Sequence, residues 1–175
     1  GASVSTVDLL PTLVELAGGQ VDPRLPLEGR SLLPHLRDGS GHDEVIGEYM
    51  GEGTIAPLVM IRRGPWKFIH SRVDPDLLFN LAEDPNELNN RAGDPGCVQL
   101  VADFRAEVAQ RWDFDAITQQ VIGSQRARRV VGAANAIGRT SPWDYQPPAN
   151  AGEQYVRAHM DLEDLEAMAR YPRVR

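Results

Sequence analysis

Glu48-Tyr-Met-Gly-Glu-Gly53 is the stretch whose residue types and spacing could do chemistry. Two carboxylates stand beside an aromatic ring, and Gly51 and Gly53 let the backbone approach a ligand closely. Such a set could hold a cation by carboxylate charge and an aromatic face. The plainer alternative is that Glu48 and Glu52 simply face solvent. Cys97 is the single cysteine. It stands in Gly96-Cys-Val-Gln-Leu100 with no base beside it and no zinc-type spacing, so it reads as a small buried residue on a helix face. His35, His42, His70 and His159 are scattered, and no two have the i, i+4 spacing of a helical metal motif. His42-Asp43-Glu44 is a polar cluster in a Gly/Ser loop and reads as solvated. GxSxG, P-loop and dinucleotide fingerprints are all absent. Taken alone, these residues do not make an active site.

Glu48 lies in a predicted strand, Val45–Tyr49, and two more follow at Leu58–Arg62 and Trp66–His70. Between the last two, Gly64-Pro65 punctuates a tight hairpin, because glycine accepts φ > 0 and proline offers no ladder N–H. A fourth strand, Leu77–Leu81, shows the alternation of one buried face. Val59 and Ile61 oppose Leu58 and Met60, which predicts a strand buried on both sides. The result is a small antiparallel sheet of three or four strands with helices as cover, an α+β fold.

The first covering helix is expected over Asp8–Gly19, with Asp8 as cap and Leu10, Leu13, Val14 and Ala17 as its inward stripe. Pro11 falls in the first turn, and Gly18-Gly19 stops the helix. Residues 20–44 are rich in proline and glycine and read as irregular, with a helical turn near Leu32–Leu36. From Pro95 onward, Cys97, Val101, Phe104, Val108 and Trp112 repeat at near-helical spacing. A third segment, from about Asp115 to Ile137, is helical but weakly amphipathic, carries Arg126, Arg128 and Arg129 on an exposed or partner-facing side, and closes at Gly138. Thr140–Pro148 holds three prolines beside Trp143 and Tyr145, which suits an extended segment laid on its own body or another subunit. A last helix is expected over Asp161–Arg170, capped by Asp161. Two regions follow, 1–112 and 113–175.

Hydrophobic residues make up 42% of the 175 and charged residues 25%, an ordinary globular composition. The net charge of −7 argues against nucleic acid and anionic membrane as partners. No apolar run approaches the roughly 20 residues of a membrane span. The lone cysteine points to a reducing, cytoplasmic compartment. The N-terminal Gly-Ala-Ser-Val-Ser has neither the basic nor the apolar region of a signal peptide, and the prompt start of a helix suggests a fragment of something larger.

Several of these segments carry a family resemblance. Val4–Gly18 resembles the helix that opens the C-terminal region of type I sulfatases, in the alkaline phosphatase superfamily. Met60-Ile-Arg-Arg-Gly-Pro-Trp-Lys-Phe-Ile69 resembles the hairpin of their small C-terminal sheet. Leu78-Phe-Asn-Leu-Ala-Glu-Asp-Pro-Asn-Glu-Leu88 resembles the strand and loop that follow it. Within that family, Gly47–Gly53, Ser141-Pro-Trp-Asp-Tyr-Gln-Pro147, His159-Met-Asp-Leu162 and Ala169-Arg-Tyr-Pro-Arg173 are similar to the choline-sulfatase branch.

The resemblance implies a parent that hydrolyses choline O-sulfate. It also implies a formylglycine, made from a cysteine in a Cys-x-Pro-Ser-Arg context, and one divalent cation (Ca, Mg or Mn) on an Asp/Asn set. Cys97 lacks the following proline and arginine, so both belong in a missing N-terminal sulfatase domain. This chain would then supply substrate recognition, with Glu48, Glu52 and Asp161 as the anions for the ammonium head, and a homo-oligomer contact through the tail. By itself it would be inactive. The alternative, from another class, is a free-standing interaction domain that assembles through its tail and never did chemistry.

Overall fold

The computed structural model describes residues 1–51 and 53–138. Glu52, Trp143, Tyr145, Tyr155, Asp161 with the helix expected around it, and Tyr171 lie outside the described residues. The architecture is α+β, as expected. Strands β1 (Glu44–Tyr49), β2 (Leu58–Arg63), β3 (Trp66–Ser71) and β4 (Leu77–Asn80) form one antiparallel sheet in the order β1-β2-β3-β4. Helix α1 (Leu9–Leu16) follows a 3₁₀ turn at Thr6–Asp8, and α2 (Leu33–Arg37) is a short helix before the sheet. Helix α3 (Val98–Arg111) is entered through a 3₁₀ turn at Pro95–Cys97, and α4 (Phe114–Ile137) is the long one.

The β2–β3 connection is the two-residue loop read from the sequence. Gly64 sits at φ 55°. A proline cannot follow it into positive φ, so the turn is of the II′ kind, whose twist suits the strands it joins. From there β3 and β4 pair with Phe68 opposite Leu78 and Lys67 opposite Phe79.

The described residues fall into two compact units. The first comprises Gly1–Gly47, Val59–His70 and Pro75–Glu107; the second comprises the described parts of Glu48–Leu58, Ser71–Asp74 and the chain from Val108 on. In the first unit Val59, Ile61, Phe68 and Leu78 are sealed from solvent. Each contributes about 1.5–3 kcal/mol of transfer free energy. Phe104 of α3 stacks on Phe68 with centroids 5.2 Å apart and planes 6° from parallel. Leu58 and Met60 are only half-buried, so β2 is closed on one face rather than both. β4 departs the other way: Leu78, Phe79 and Asn80 are all buried, on both faces. The loop after β4 explains this. Asn90 Oδ1 accepts from the Leu78 N–H at 2.9 Å, and the Arg91 N–H donates to the Leu78 carbonyl at 2.8 Å. The edge strand is thereby closed by its own downstream loop.

Helix α1 is turned the opposite way from the expectation. Leu10, Leu13 and Ala17 are exposed and Val14 is half-buried; the buried positions are Asp8, Pro11 and Thr12. The polar face is inside because it is fully bonded there. Asp8 accepts from the Ser5 N–H at 2.8 Å, from the Arg30 N–H at 2.8 Å, and lies 3.1 Å from His42 Nε2. Thr12 Oγ1 donates to the Asp8 carbonyl and accepts from the Leu32 N–H. Thus Asp8 ties the helix to two loops instead of capping α1 with its side chain, and His42 is held by it rather than solvated. Gly29 lies so close that a Cβ there would meet the Val7 carbonyl oxygen at 2.0 Å.

In the second unit Val108, Trp112 and Phe114 are buried. The stripe read as Cys97, Val101, Phe104, Val108 and Trp112 is therefore inward along its whole length. Asp113 caps α4, its Oδ1 accepting from the Asp115 and Ala116 N–H groups at 3.0 Å. The Arg72 guanidinium lies 5.1 Å from the Phe114 ring centre and bonds Asp115. From Arg126 to Gly138 every residue of α4 is exposed, the three arginines included.

Candidate functional site

Strand β1 carries Glu48 and Tyr49 to its C-terminal end. Successive strand residues point to opposite faces, so these two do not form one pocket. Tyr49 turns toward the glycine turn beyond the strand. A Cβ on Gly51 would touch the Tyr49 ring at 3.4–3.5 Å, which is ordinary contact. Thr54 closes this turn by donating its Oγ1–H to the Gly51 carbonyl at 3.0 Å, and Gly53 takes φ 83°.

The aromatic partner of Glu48 comes from elsewhere. Trp112, buried at the end of α3, donates its Nε1–H to Glu48 Oε1. Glu48 itself is an exposed residue. An indole N–H fixes one oxygen, and therefore the rotamer, of an otherwise solvated anion. The arrangement presents a carboxylate held in place by the edge of a buried indole. Sequence reasoning placed Trp112 on the apolar stripe of its helix but had no signal joining it to Glu48, since the two are 64 positions apart. Glu52 and Asp161, the other two expected anions, lie outside the described residues.

The start of β1 is anchored separately, within the first unit. Arg63 of β2 bonds Glu44 of β1, its Nε at 2.6 Å, and Glu107 of α3 at 2.9 Å. The Glu107 hydrogen bond, with help from Glu44, raises the Arg63 pKa against the opposing effect of burial. Two other charged clusters exist there. His70 Nδ1 lies 2.6 Å from Asp76 Oδ1, and Arg105 Nε donates to Asp76 Oδ2. Lys67 Nζ donates to both oxygens of Glu87 at 2.7 and 2.8 Å. Both tie strands to the segments that cover them. Cys97 is buried, as a structural cysteine would be.

Among the described residues no group of three or more His, Cys, Asp or Glu side chains converges to hold a metal ion. The described side chains therefore do not fit the divalent cation implied by the sulfatase resemblance. No described helix is long and apolar enough to cross a membrane.

Comparison with known proteins agrees with this architecture. Residues 119–171 match the family model described as "Choline sulfatase enzyme C terminal". A choline-sulfatase of Rhizobium meliloti is 42% identical over 173 residues, covering 97% of this chain and 34% of that protein. A multifunctional alkaline phosphatase superfamily protein of Trinickia caryophylli is 33% identical, covering 61% of this chain and 24% of its own length. In three dimensions the chain resembles a sulfatase from Bacteroides thetaiotaomicron, with TM-score 0.51 and 33% identity over 59% of this chain and 23% of the other. It also resembles a phosphonate monoester hydrolase of Agrobacterium radiobacter, with TM-score 0.51 and 25% identity over 62% of this chain and 25% of that one. The chain thus spans about a third or less of the curated relatives it matches.

Proposed function

Because this chain belongs to the choline-sulfatase family and corresponds to its C-terminal part, we propose that its full-length parent hydrolyses choline O-sulfate to choline and sulfate. The observation that carries this is the extent of the match. The alkaline phosphatase superfamily relative covers 61% of the chain, whereas the choline-sulfatase similarity covers 97%, and residues 119–171 have their own choline-sulfatase family model. On this reading the specificity for the substrate class resides in residues 119–171.

Choline's trimethylammonium head has no N–H donor, so a protein holds it only by charge and by aromatic or dipolar faces. Glu48, with its rotamer set by Trp112, supplies the first anion. Glu52 and Asp161 are the further anions of the same reading, Asp161 acting across a subunit boundary. The tail beyond Gly138 makes that boundary in a homo-oligomer. The outward-facing second half of α4, with Val130, Val131 and Ile137 exposed, supports a subunit contact there. The nucleophilic formylglycine and the divalent cation belong to the preceding domain, which leaves this piece to bind and orient. A reducing cytoplasm suits its single cysteine.

The full-length protein, expressed with its formylglycine formed and divalent metal supplied, should turn over choline O-sulfate in preference to 4-nitrophenyl sulfate. Turnover of the aryl ester without turnover of choline O-sulfate would overturn the substrate; turnover of neither would overturn the activity.

A further inference from the structure

Within the first unit, the β2–β3 hairpin and the first half of α3 border an open cavity of about 360 Å³. Pro65, Trp66, Leu100 and Phe104 form its walls, and Arg63 and Asp103 stand at its margin. Leu100, Asp103 and Phe104 follow the i, i+3, i+4 spacing and so share one face of α3. Phe104 is fixed by its stacking on Phe68, and the hairpin end by the Leu81 N–H, which donates to the Pro65 carbonyl at 2.7 Å. A cavity of this size, mostly apolar with a few charged groups at its edge, suits a small molecule.

The charges around the cavity decide what kind of molecule it takes. Arg63 lies 5.8 Å from the Phe104 ring centre, but its charge is already shared between Glu44 and Glu107. Arg91 lies 5.7 Å from the Trp66 ring centre and bonds Asp94 at 3.0 Å and Glu83 at 3.1 Å. The next cations along, Lys67 and Arg105, are engaged by Glu87 and Asp76. Asp103 is exposed and accepts from the Gln99 side-chain amide at 2.8 Å, a donor that carries no charge. An anion here would meet guanidinium groups already claimed by carboxylates, with Asp103 opposing it. A neutral apolar molecule would leave Asp103 without a counter-charge. A primary ammonium brings three N–H donors to a site with one free-standing carboxylate and four apolar walls. An ammonium whose hydrogens are replaced by methyl groups has no donor to leave unmade, and its methyl groups suit those walls.

The geometry points to a binding site for a small alkylated ammonium ion, with Trp66 and Asp103 as its cation-binding pair and Pro65, Leu100 and Phe104 around the methyl groups. Two rings of this corner already lie beside guanidinium groups, which shows that their surroundings favour positive charge. The site stands on the residues of the hairpin and α3 and not on choline O-sulfate as the parent's substrate. Its test therefore reads the Trp66 ring rather than turnover.

The experiment labels the full-length parent with 5-fluorotryptophan and follows the fluorine resonance of Trp66, identified by its loss in Trp66→Phe. Choline chloride is titrated at constant ionic strength against 3,3-dimethylbutan-1-ol, which has the same shape and no charge. Choline should shift the Trp66 resonance saturably, with a midpoint of about 1–10 mM. The neutral alcohol should bind at least about five-fold more weakly. Asp103→Asn should weaken choline by about three-fold or more and leave the alcohol unchanged. No shift with choline up to about 100 mM would overturn the inference. An equal response to the alcohol would also overturn it, since the cavity would then select apolar shape and not charge. So would a shift that follows protein concentration instead of ligand, which would assign the cavity to a contact between copies. Should Trp66→Phe prevent folding, Asp103→Asn identifies the resonance instead, because its exposed position tolerates the change and its charge acts on the ring beside it.

Discussion

The indole N–H of Trp112 donates to Glu48 Oε1, joining the end of α3 to the end of β1 within one unit. That bond makes Glu48 a positioned anion instead of a freely rotating one. Replacing Trp112 by phenylalanine keeps an aromatic ring and removes the donor. Chemical denaturation of the chain should then show a loss of about 1–2 kcal/mol, including the smaller ring's packing deficit. Glu48→Gln should lose little by comparison, because an amide oxygen also accepts from the indole. A Trp112→Phe variant as stable as the original would mean the bond contributes nothing.

Asp8 offers a prediction in pH. Burial pushes its carboxyl up, but hydrogen bonds from the Arg30 and Ser5 N–H groups and the contact with His42 outweigh that and leave it below the ordinary value of 3.8. A carboxyl lowered by folding stabilises the fold above its unfolded pKa and loses that contribution as pH falls through its folded pKa. Asp8→Asn should cost about 2 kcal/mol near neutrality. The gap between variant and original should narrow below about pH 3.8. A gap independent of pH from neutrality to pH 2 would contradict the role given to the charge.

Gly29→Ala tests the close approach of the loop to the turn before α1. The added Cβ would sit 2.0 Å from the Val7 carbonyl oxygen and 2.5 Å from its carbon, both backbone atoms that cannot swing aside. Separating the two segments should cost about 1–3 kcal/mol and strain the Arg30–Asp8 bond next to it. A melting temperature unchanged from the original would show that the loop is loosely held.

Much of this fold was legible in the sequence, and the exceptions share a cause. Gly64-Pro65 announces its hairpin because the turn chemistry is local. Cys97 to Trp112 announces a buried stripe because each residue is within a turn of the next. The stripe on α1 was equally legible, but periodicity reports only that a face is apolar. It does not say which neighbour covers it, and here the body of the chain takes the polar side. The pairing of Glu48 with Trp112 left no local trace at all, because two residues far apart in sequence meet only through the course of the whole fold. Tyr49 looked like the natural companion of Glu48 by adjacency, and strand geometry sends it to the other face.

This chain alone should not hydrolyse sulfate esters. Cys97 is buried and is followed by Val98-Gln99 rather than the proline and arginine of a formylglycine site. Purified and supplied with Ca²⁺, Mg²⁺ or Mn²⁺, it should show no turnover of choline O-sulfate or an aryl sulfate above buffer. Turnover that Cys97→Ala abolishes would overturn this.

The central claim is that this segment holds the cationic head of the parent's substrate, and Glu48→Gln in the full-length protein tests it most directly. Glutamine keeps the shape and the oxygen that faces Trp112 but removes the charge. For choline O-sulfate, kcat/KM should fall by the equivalent of about 1–3 kcal/mol in transition-state terms. For 4-nitrophenyl sulfate, which has no cation to lose, it should fall much less. Equal losses on the two substrates would contradict the account and assign Glu48 to the fold instead.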